Sequence, residues 1–323
     1  MVIYDKAYLS IKTKYIVPLS KYRIKYQSLN KCNIKDLLLN GDIKSIEKIS
    51  VNDYKIFVDE EILFKSLLGD ILLMYIRSMI QKKDCDVIHN ESANISSNWN
   101  IVTYYYSSYF FASLLLRLCH RGTIFFNNEE KKRVKEIFSE FIGSVVNIDS
   151  NVIYEIQKTK NGYVLFLRKG DAKTHELVWR EVAVLLSEFQ PLCTHKSDEE
   201  TILNLLNTIN NDLTPTYPSQ LRNRVNYQLK YGIKYLNNQL YSVNTGISWI
   251  HELLSYDRIK TKNNDAKICD IYYSYSRYIE IWANKMLADY YELIGTDNGI
   301  VKYMNKKFMT PVQIETYPFD FKA

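Results

Sequence analysis

Glycine and proline are scarce in this sequence, at 10 and 6 of 323 residues. That composition excludes collagen-like repeats and Pro- or Gly-rich low-complexity chains. The five cysteines lie far apart and none forms a CxxC pair, so the sequence contains neither a zinc ribbon nor a thioredoxin-type redox motif. There is also no apolar secretory segment near residue 1. These absences favour a reduced, cytoplasmic protein.

The motifs of several common enzyme classes are absent too. There is no Walker loop, no Gly-x-Gly-x-x-Gly and no Gly-x-Ser-x-Gly, so the NTPase, dinucleotide-binding and hydrolase classes lose support. The histidines share no metal-binding spacing, and we interpret each of them as structural. They are His89, His120, His175, His195 and His251. We therefore predict no metal and no cofactor.

Long apolar runs are missing as well. The longest uncharged stretches are Asn94–Leu116, which is rich in Ser, Asn and Tyr, and Leu236–His251, which is too short to span a bilayer. We expect no membrane partner.

The composition is otherwise that of a globular protein, with 46% apolar and 24% charged residues. The net charge is +6, but residues 1–26 carry six basic residues against Asp5 and so supply +5 of it. Five tyrosines alternate with these basic residues. Two interpretations of this segment stay open: a surface that follows a nucleic-acid backbone, or a solvated face whose tyrosine rings pack inward. Its secondary structure, edge strand or short helix, is also undecided.

Apolar residues recur mostly at helical spacing, so the predicted fold class is mainly α. The predicted helices cover residues 34–48, broken at Asn40-Gly41, and 59–81, 101–121, 127–141, 173–189, 198–212, 218–240 and 268–292. Residues 82–100 are polar and predict a loop or linker. We expect a smaller N-terminal helical lobe over residues 1–95, with its basic, tyrosine-rich start, and a helical core over residues 101–323.

Residues 151–169 interrupt the helical pattern. Two runs of β-branched and aromatic residues flank Asn161-Gly162, a pair that tolerates the positive φ of a tight turn. This predicts a β-hairpin inserted in the helical core. A two-stranded hairpin is marginal alone, so it must pack on helices or pair with another strand.

Two segments resemble the HEPN superfamily, helical domains found in prokaryotic toxins, defence systems and CRISPR-associated RNases. The first is Tyr105–Gly122, which begins YYSSYFFASLLLR and ends with a basic residue and Gly. The second is Ser219–Gly232, where Arg222-Asn223 matches the start of the Arg-polar…His motif of the family. The resemblance covers about 100 to 130 residues and implies a multi-helix HEPN-like bundle. This sequence departs from the motif at Tyr227, which stands where the family has His.

The resemblance implies a metal-independent endoribonuclease site. Arg222 would contact the scissile phosphate, Asn223 would orient it, and Tyr227 would occupy the general-base position. Tyrosine is a poor base at neutral pH because its ordinary pKa is about 10. Three interpretations therefore stay open: a modified RNase site, a catalytically degenerate site that keeps the fold for binding, or an Arg222 that forms a structural ion pair.

A basic stretch surrounds this motif. Between Leu213 and His251 there is no Asp or Glu. The candidate RNA-binding residues in this stretch are Arg224, Lys230, Tyr231 and Lys234. The alternative is that acids from other helices, such as Glu129 and Glu130 or Asp198 to Glu200, neutralise the stretch.

Two functions are compared on this basis. The first is a HEPN-like protein of a prokaryotic defence or toxin–antitoxin system, acting as an endoribonuclease or as an RNA-binding relative. Its partners would be RNA and a second copy of the chain, because the family site is composite between two protomers. The second is a non-enzymatic interaction subunit of a defence or mobile-element complex, which binds a protein partner by strand addition at an exposed hairpin edge.

Overall fold

A computed structural model describes residues 6–23, 32–90, 97–227, 248–262 and 264–295. The described chain is mostly helical, so the predicted mainly α class is confirmed, and it also contains a five-stranded antiparallel sheet. That the helices form a HEPN-like bundle stays a prediction.

The described helices follow the apolar periodicity. In chain order they are α1 (Lys6–Ile11), α2 (Val17–Leu19), α3 (Ile34–Asn40), α4 (Glu60–Asn90), α5 (Ser97–Leu118), α6 (Asn128–Ile142), α7 (Thr174–Phe189), α8 (Asp198–Leu213), α9 (Tyr217–Tyr227), α10 (Ser248–Leu254), α11 (Arg258–Lys262) and α12 (Asp265–Ile294). A π-helical turn, Lys12–Ile16, joins α1 to α2, so the described part of the N-terminal segment is helical rather than extended. No helix among the described residues is both long and apolar enough to cross a membrane.

Helix starts agree with the capping signals. The side chain of Asn127 accepts a hydrogen bond from Glu130 N, and the Glu130 carboxylate accepts one from Asn127 N, which completes a capping box before α6. Ser197 caps α8 by accepting from Glu200 N. These caps satisfy amide groups that a helix leaves unpaired at its first turn.

The sheet has the strand order β1-β2-β5-β4-β3, with every pair antiparallel. Its strands are β1 (Ser45–Lys48), β2 (Tyr54–Phe57), β3 (Arg121–Phe125), β4 (Asn151–Thr159) and β5 (Gly162–Lys169). The predicted hairpin is thus β4–β5. Its turn residues are Lys160 and Asn161, whereas Gly162 pairs with Thr159 and supplies the positive φ of 113°.

The hairpin is paired on both outer sides over part of its length. Strand β3 pairs with residues 151–155 of β4, and β2 pairs with residues 165–167 of β5. Nearer the turn, residues 157–159 and 162–164 pair with no further strand among the described residues, so strand addition at a hairpin edge stays a prediction. The outer strands of the sheet are β1 and β3.

Two predicted elements differ from the structure. The helix expected over residues 34–48 breaks at Asn40-Gly41 as predicted, with Gly41 at a left-handed φ of 74°, but the chain then continues into β1 rather than into a second helical part. The loop expected over residues 82–100 is largely helical where the structure describes it, since α4 continues to Asn90 and α5 begins at Ser97. Polar residues on exposed helix faces explain the second difference.

Helix α5 lies at the centre of the molecule and packs against α4, α7, α9 and α12. Small side chains along it, including Ser107, Ser108, Ala112 and Ser113, are buried, which allows close approach of these neighbours. One hydrophobic cluster contains residues from both sides of position 95, such as Leu67 and Leu115. The division into a lobe and a core stays a prediction.

Candidate functional site

Helix α9 carries the first part of the predicted motif. Tyr217, Leu221 and Val225 recur every fourth residue and are buried, so they fasten the helix to the core. Arg222 is half-buried, and Asn223 and Arg224 are exposed.

The second part of the predicted motif is not described. Tyr227 is the last residue of α9, and its side chain lies outside what the structure describes. The predicted RNA-binding residues Lys230, Tyr231 and Lys234 also lie outside the described residues. Their roles and that of Tyr227 stay predictions.

An open pocket of about 540 Å³ lies between the first turn of α7 and helix α9. Its lining brings together Arg222, Asn223 and Arg224 with residues that are distant in sequence. The lining residues are Lys173, His175, Glu176, Ser219, Gln220, Arg222, Asn223 and Arg224. Three of them are cations and Glu176 is the one carboxylate, so the lining favours an anionic ligand.

The guanidinium of Arg222 is held by aromatic rings of α5. Its Cζ lies 5.3 Å from the ring centre of Tyr105 and 5.8 Å from that of Tyr106, within the range of cation–π contact. Its Nε is buried and has no hydrogen-bond partner among the residues that the structure describes. No carboxylate among the described residues forms an ion pair with Arg222, so the interpretation of Arg222 as a structural ion pair finds no partner there.

Two of the acids proposed to neutralise the basic stretch are engaged elsewhere. Glu130 binds Lys35 at 2.7 Å and caps its own helix. Glu200 accepts a hydrogen bond from the backbone N of Lys196 and lies 3.5 Å from the His195 side chain. Neither lines the pocket, and its positive character is left to Glu176 to offset.

Sequence reasoning missed His175, which was interpreted as structural. It lies in the first turn of α7 and lines the same pocket as Arg222. Its Nδ1 is 3.0 Å from the hydroxyl of Tyr105, and its ring stacks on Tyr109 at 4.3 Å between centroids. No spacing pattern could have joined residues 175 and 222, because helix α8 lies between them in the chain.

Burial, and secondly the positive charge of Arg222, together lower the pKa of His175 to about 4. The imidazole is therefore neutral at pH 7, with one ring nitrogen that carries a proton and one that can accept a proton. A neutral imidazole beside a permanent cation is a pairing that can remove a proton and stabilise developing negative charge.

The hydroxyl of Tyr105 connects the floor of the pocket to the core. It lies 3.0 Å from His175 Nδ1, it accepts from Nε1 of Trp179 at 3.3 Å, and it donates to Oγ of Ser219 at 3.4 Å. Burial raises the pKa of Tyr105, so the phenol keeps its proton. Three helices thus contribute to one hydrogen-bonded cluster below Arg222.

The site has no known counterpart in the comparisons. No family model, no curated protein and no solved structure matches the chain. Among the described residues, no group of three or more His, Cys, Asp or Glu side chains is arranged to hold a metal ion.

Proposed function

We propose that this chain binds RNA in the pocket between α7 and α9 and cleaves it without a metal ion, as a HEPN-like endoribonuclease. One observation carries the proposal: the half-buried guanidinium of Arg222, without a carboxylate partner among the described residues, shares an open pocket with the neutral imidazole of His175. RNA meets the needs of both groups, since its phosphodiester supplies negative charge and the adjacent ribose supplies a 2′-hydroxyl to deprotonate.

The chemistry follows from these positions. His175 takes the proton of a ribose 2′-hydroxyl, and the 2′ oxygen attacks phosphorus. Arg222 stabilises the added charge on the phosphoryl oxygens. The bond to the 5′ oxygen then breaks, and that oxygen receives a proton from solvent or from the ammonium group of Lys173, which lines the same pocket. The products are a 2′,3′-cyclic phosphate end and a 5′-hydroxyl end.

His175 offers a solution to the motif departure at Tyr227. The family pattern calls for an imidazole after Arg222, and this chain has an imidazole near Arg222 in space instead. An imidazole with a pKa below neutrality accepts a proton at pH 7, whereas a phenol does not.

The first test measures cleavage of a single-stranded RNA by purified protein in EDTA. We expect wild type to yield 2′,3′-cyclic phosphate ends, and Arg222→Ala to lose on the order of 100-fold or more in rate. Arg133→Ala, which changes an exposed arginine of α6 outside the pocket, is the matched control. Equal rates for wild type and Arg222→Ala would overturn the proposal.

The second test separates His175 from Tyr227. We expect His175→Gln to abolish cleavage and Tyr227→Phe to retain it. The reverse result would return the general-base role to the motif position. If wild type binds RNA tightly through Arg222 but does not cleave it, the protein is the degenerate, RNA-binding relative.

The biological setting belongs to the same proposal. A role in prokaryotic defence or a toxin–antitoxin system, the cytoplasmic location and the homodimer all rest on the HEPN resemblance. Arg222 and His175 come from one chain, so the proposed chemistry does not itself require a second protomer. A defence-complex protein partner would then regulate the site rather than complete it.

A further inference from the structure

The Tyr105 hydroxyl has three neighbours and only one proton. A phenol can donate one hydrogen bond and accept two. The indole N–H of Trp179 can only donate, so it occupies one acceptor position on the phenol oxygen. The phenol proton is directed to Oγ of Ser219 at 3.4 Å. The remaining neighbour, Nδ1 of His175 at 3.0 Å, must then be a donor.

We propose that Tyr105 is a positioning residue that keeps the proton of His175 on Nδ1 and leaves the electron pair of Nε2 free for the pocket. The catalytic consequence rests on the proposed function, because it identifies Nε2 as the atom that would take the 2′-hydroxyl proton. The proton assignment itself does not depend on any activity.

Packing holds the cluster in one arrangement. Tyr105 and Trp179 are fully buried, and Ser219 is 2% exposed. The imidazole lies against Tyr109 at 4.3 Å with an angle of 26° between the rings, which limits its rotation. A fixed ring and a fixed hydrogen-bond partner are what select one tautomer of a neutral histidine.

Replacing Ser219 should reverse the position of the proton on His175. In Ser219→Ala the phenol proton loses its acceptor and turns to the nearest one left, Nδ1 of His175. The histidine proton must then move to Nε2, although neither Tyr105 nor His175 has been changed. A merely structural role of Ser219 would alter stability and leave the tautomer as it was.

The test uses the full chain labelled with ¹⁵N-histidine, and His175→Gln assigns the signals. We expect wild type to have a protonated Nδ1 and a bare Nε2, and Ser219→Ala to have the opposite pattern. Ser187→Ala, which removes a serine hydroxyl elsewhere on α7, is the matched control and keeps the wild-type pattern. A wild-type His175 with its proton on Nε2 overturns the inference.

Cleavage assays are kept separate from this readout. Where RNA is cleaved, Ser219→Ala should lower kcat by on the order of 10-fold to 100-fold with KM little changed, because the base is present in the wrong tautomer. A protonated Nδ1 in a protein that cleaves no RNA refutes the proposed function and supports the tautomer assignment. Cleavage by a protein whose His175 carries its proton on Nε2 supports the proposed function and refutes the tautomer assignment.

Discussion

A half-buried arginine without a carboxylate is costly at the scale of the single residue. Among the described residues, Arg222 loses part of its hydration and gains ring contacts with Tyr105 and Tyr106, and its Nε has no hydrogen-bond partner there. Other arginines of this chain are paired: Arg121 binds Glu188 and Glu155, and Arg168 binds Glu181. This contrast agrees with the anionic ligand that we propose for Arg222.

Arg222 is also, after burial, the second cause of the lowered pKa of His175. Replacement by methionine keeps a long side chain over the tyrosine rings but removes the positive charge that disfavours imidazolium. We therefore expect Arg222→Met to raise the pKa of His175 above about 4, while burial still keeps it below 6.5. Histidine NMR against pH measures this shift.

Arg180→Met is the matched control for that titration. Arg180 also belongs to α7, but it pairs with Asp171 at 3.0 Å and does not line the pocket. Its replacement should leave the titration of His175 unchanged. An equal shift in both variants would mean that the cation at position 222 has no special influence on the imidazole.

At the scale of the element, local signals predict much of the fold. The capping residues Asn127 and Ser197 and the periodic apolar positions fix the starts and extents of most helices, and the turn pattern around Asn161 fixes the hairpin. Strands β1 and β2 have four residues each, and they are stabilised by pairing with each other and by the pairing of β2 with β5, which no local pattern reports.

The candidate site, like the fold, is only partly predictable from local sequence patterns. Arg222 and Asn223 could be found from a local motif because they are adjacent on one helix. His175 could not, because its proximity to Arg222 arises from the packing of α7 and α9 against α5. The hydrogen bonds of Tyr105 depend on three helices at once and are likewise a property of the tertiary structure.

The close approach of Cys32 to Gly69 of α4 gives a testable prediction about the packing of that helix. Gly69 lies within α4, and a Cβ added there would come within 1.5 Å of the backbone oxygen of Cys32. We expect Gly69→Ala to lower the free energy of unfolding by about 2 kcal/mol or more, although alanine favours a helix over glycine. Urea unfolding measures the change.

Gly143 is the comparison for this substitution. It has a left-handed φ of 71° but nothing within 4 Å of an added Cβ, so Gly143→Ala costs only the backbone strain of about 1 kcal/mol. If Gly69→Ala were no more destabilising than Gly143→Ala, Cys32 would not lie as close to α4 as described.

At the scale of the whole molecule, His120 joins parts of the chain that are far apart in sequence. It follows α5 with a left-handed φ of 60°, its Nε2 lies 2.9 Å from the backbone oxygen of Tyr15, and its ring meets Phe64 of α4 edge-on. Its backbone oxygen accepts from Ile156 N of β4. Because the imidazole is fully enclosed, burial lowers the pKa of His120 to about 4.

This buried imidazole makes the global stability sensitive to acid. Unfolded histidine titrates near 6.5, so below that pH the unfolded chain binds a proton that the folded chain excludes. The stability due to the neutral side chain is complete above pH 6.5 and is lost as the pH falls towards 4. For His120 the loss is on the order of 3 kcal/mol, and His175 acts in the same direction.

Some buried carboxyl groups stabilise the folded protein as the pH falls, which opposes the effect of the histidines. The prediction therefore compares the loss of stability in wild type with that in a His120 variant. Burial, and secondly the charge of Glu252, raise the pKa of Asp270 to about 6, and such a group makes the folded protein more stable as the pH falls. His120→Gln removes the titrating imidazole and puts a side-chain amide in its place. Glutamine at the positive φ of position 120 costs free energy at every pH. We expect this variant to be less stable than wild type at about pH 7 and to lose less stability than wild type down to about pH 4.5. Urea unfolding at both pH values measures the two losses, and equal losses would show that His120 takes up its proton in the folded chain as readily as in the unfolded one.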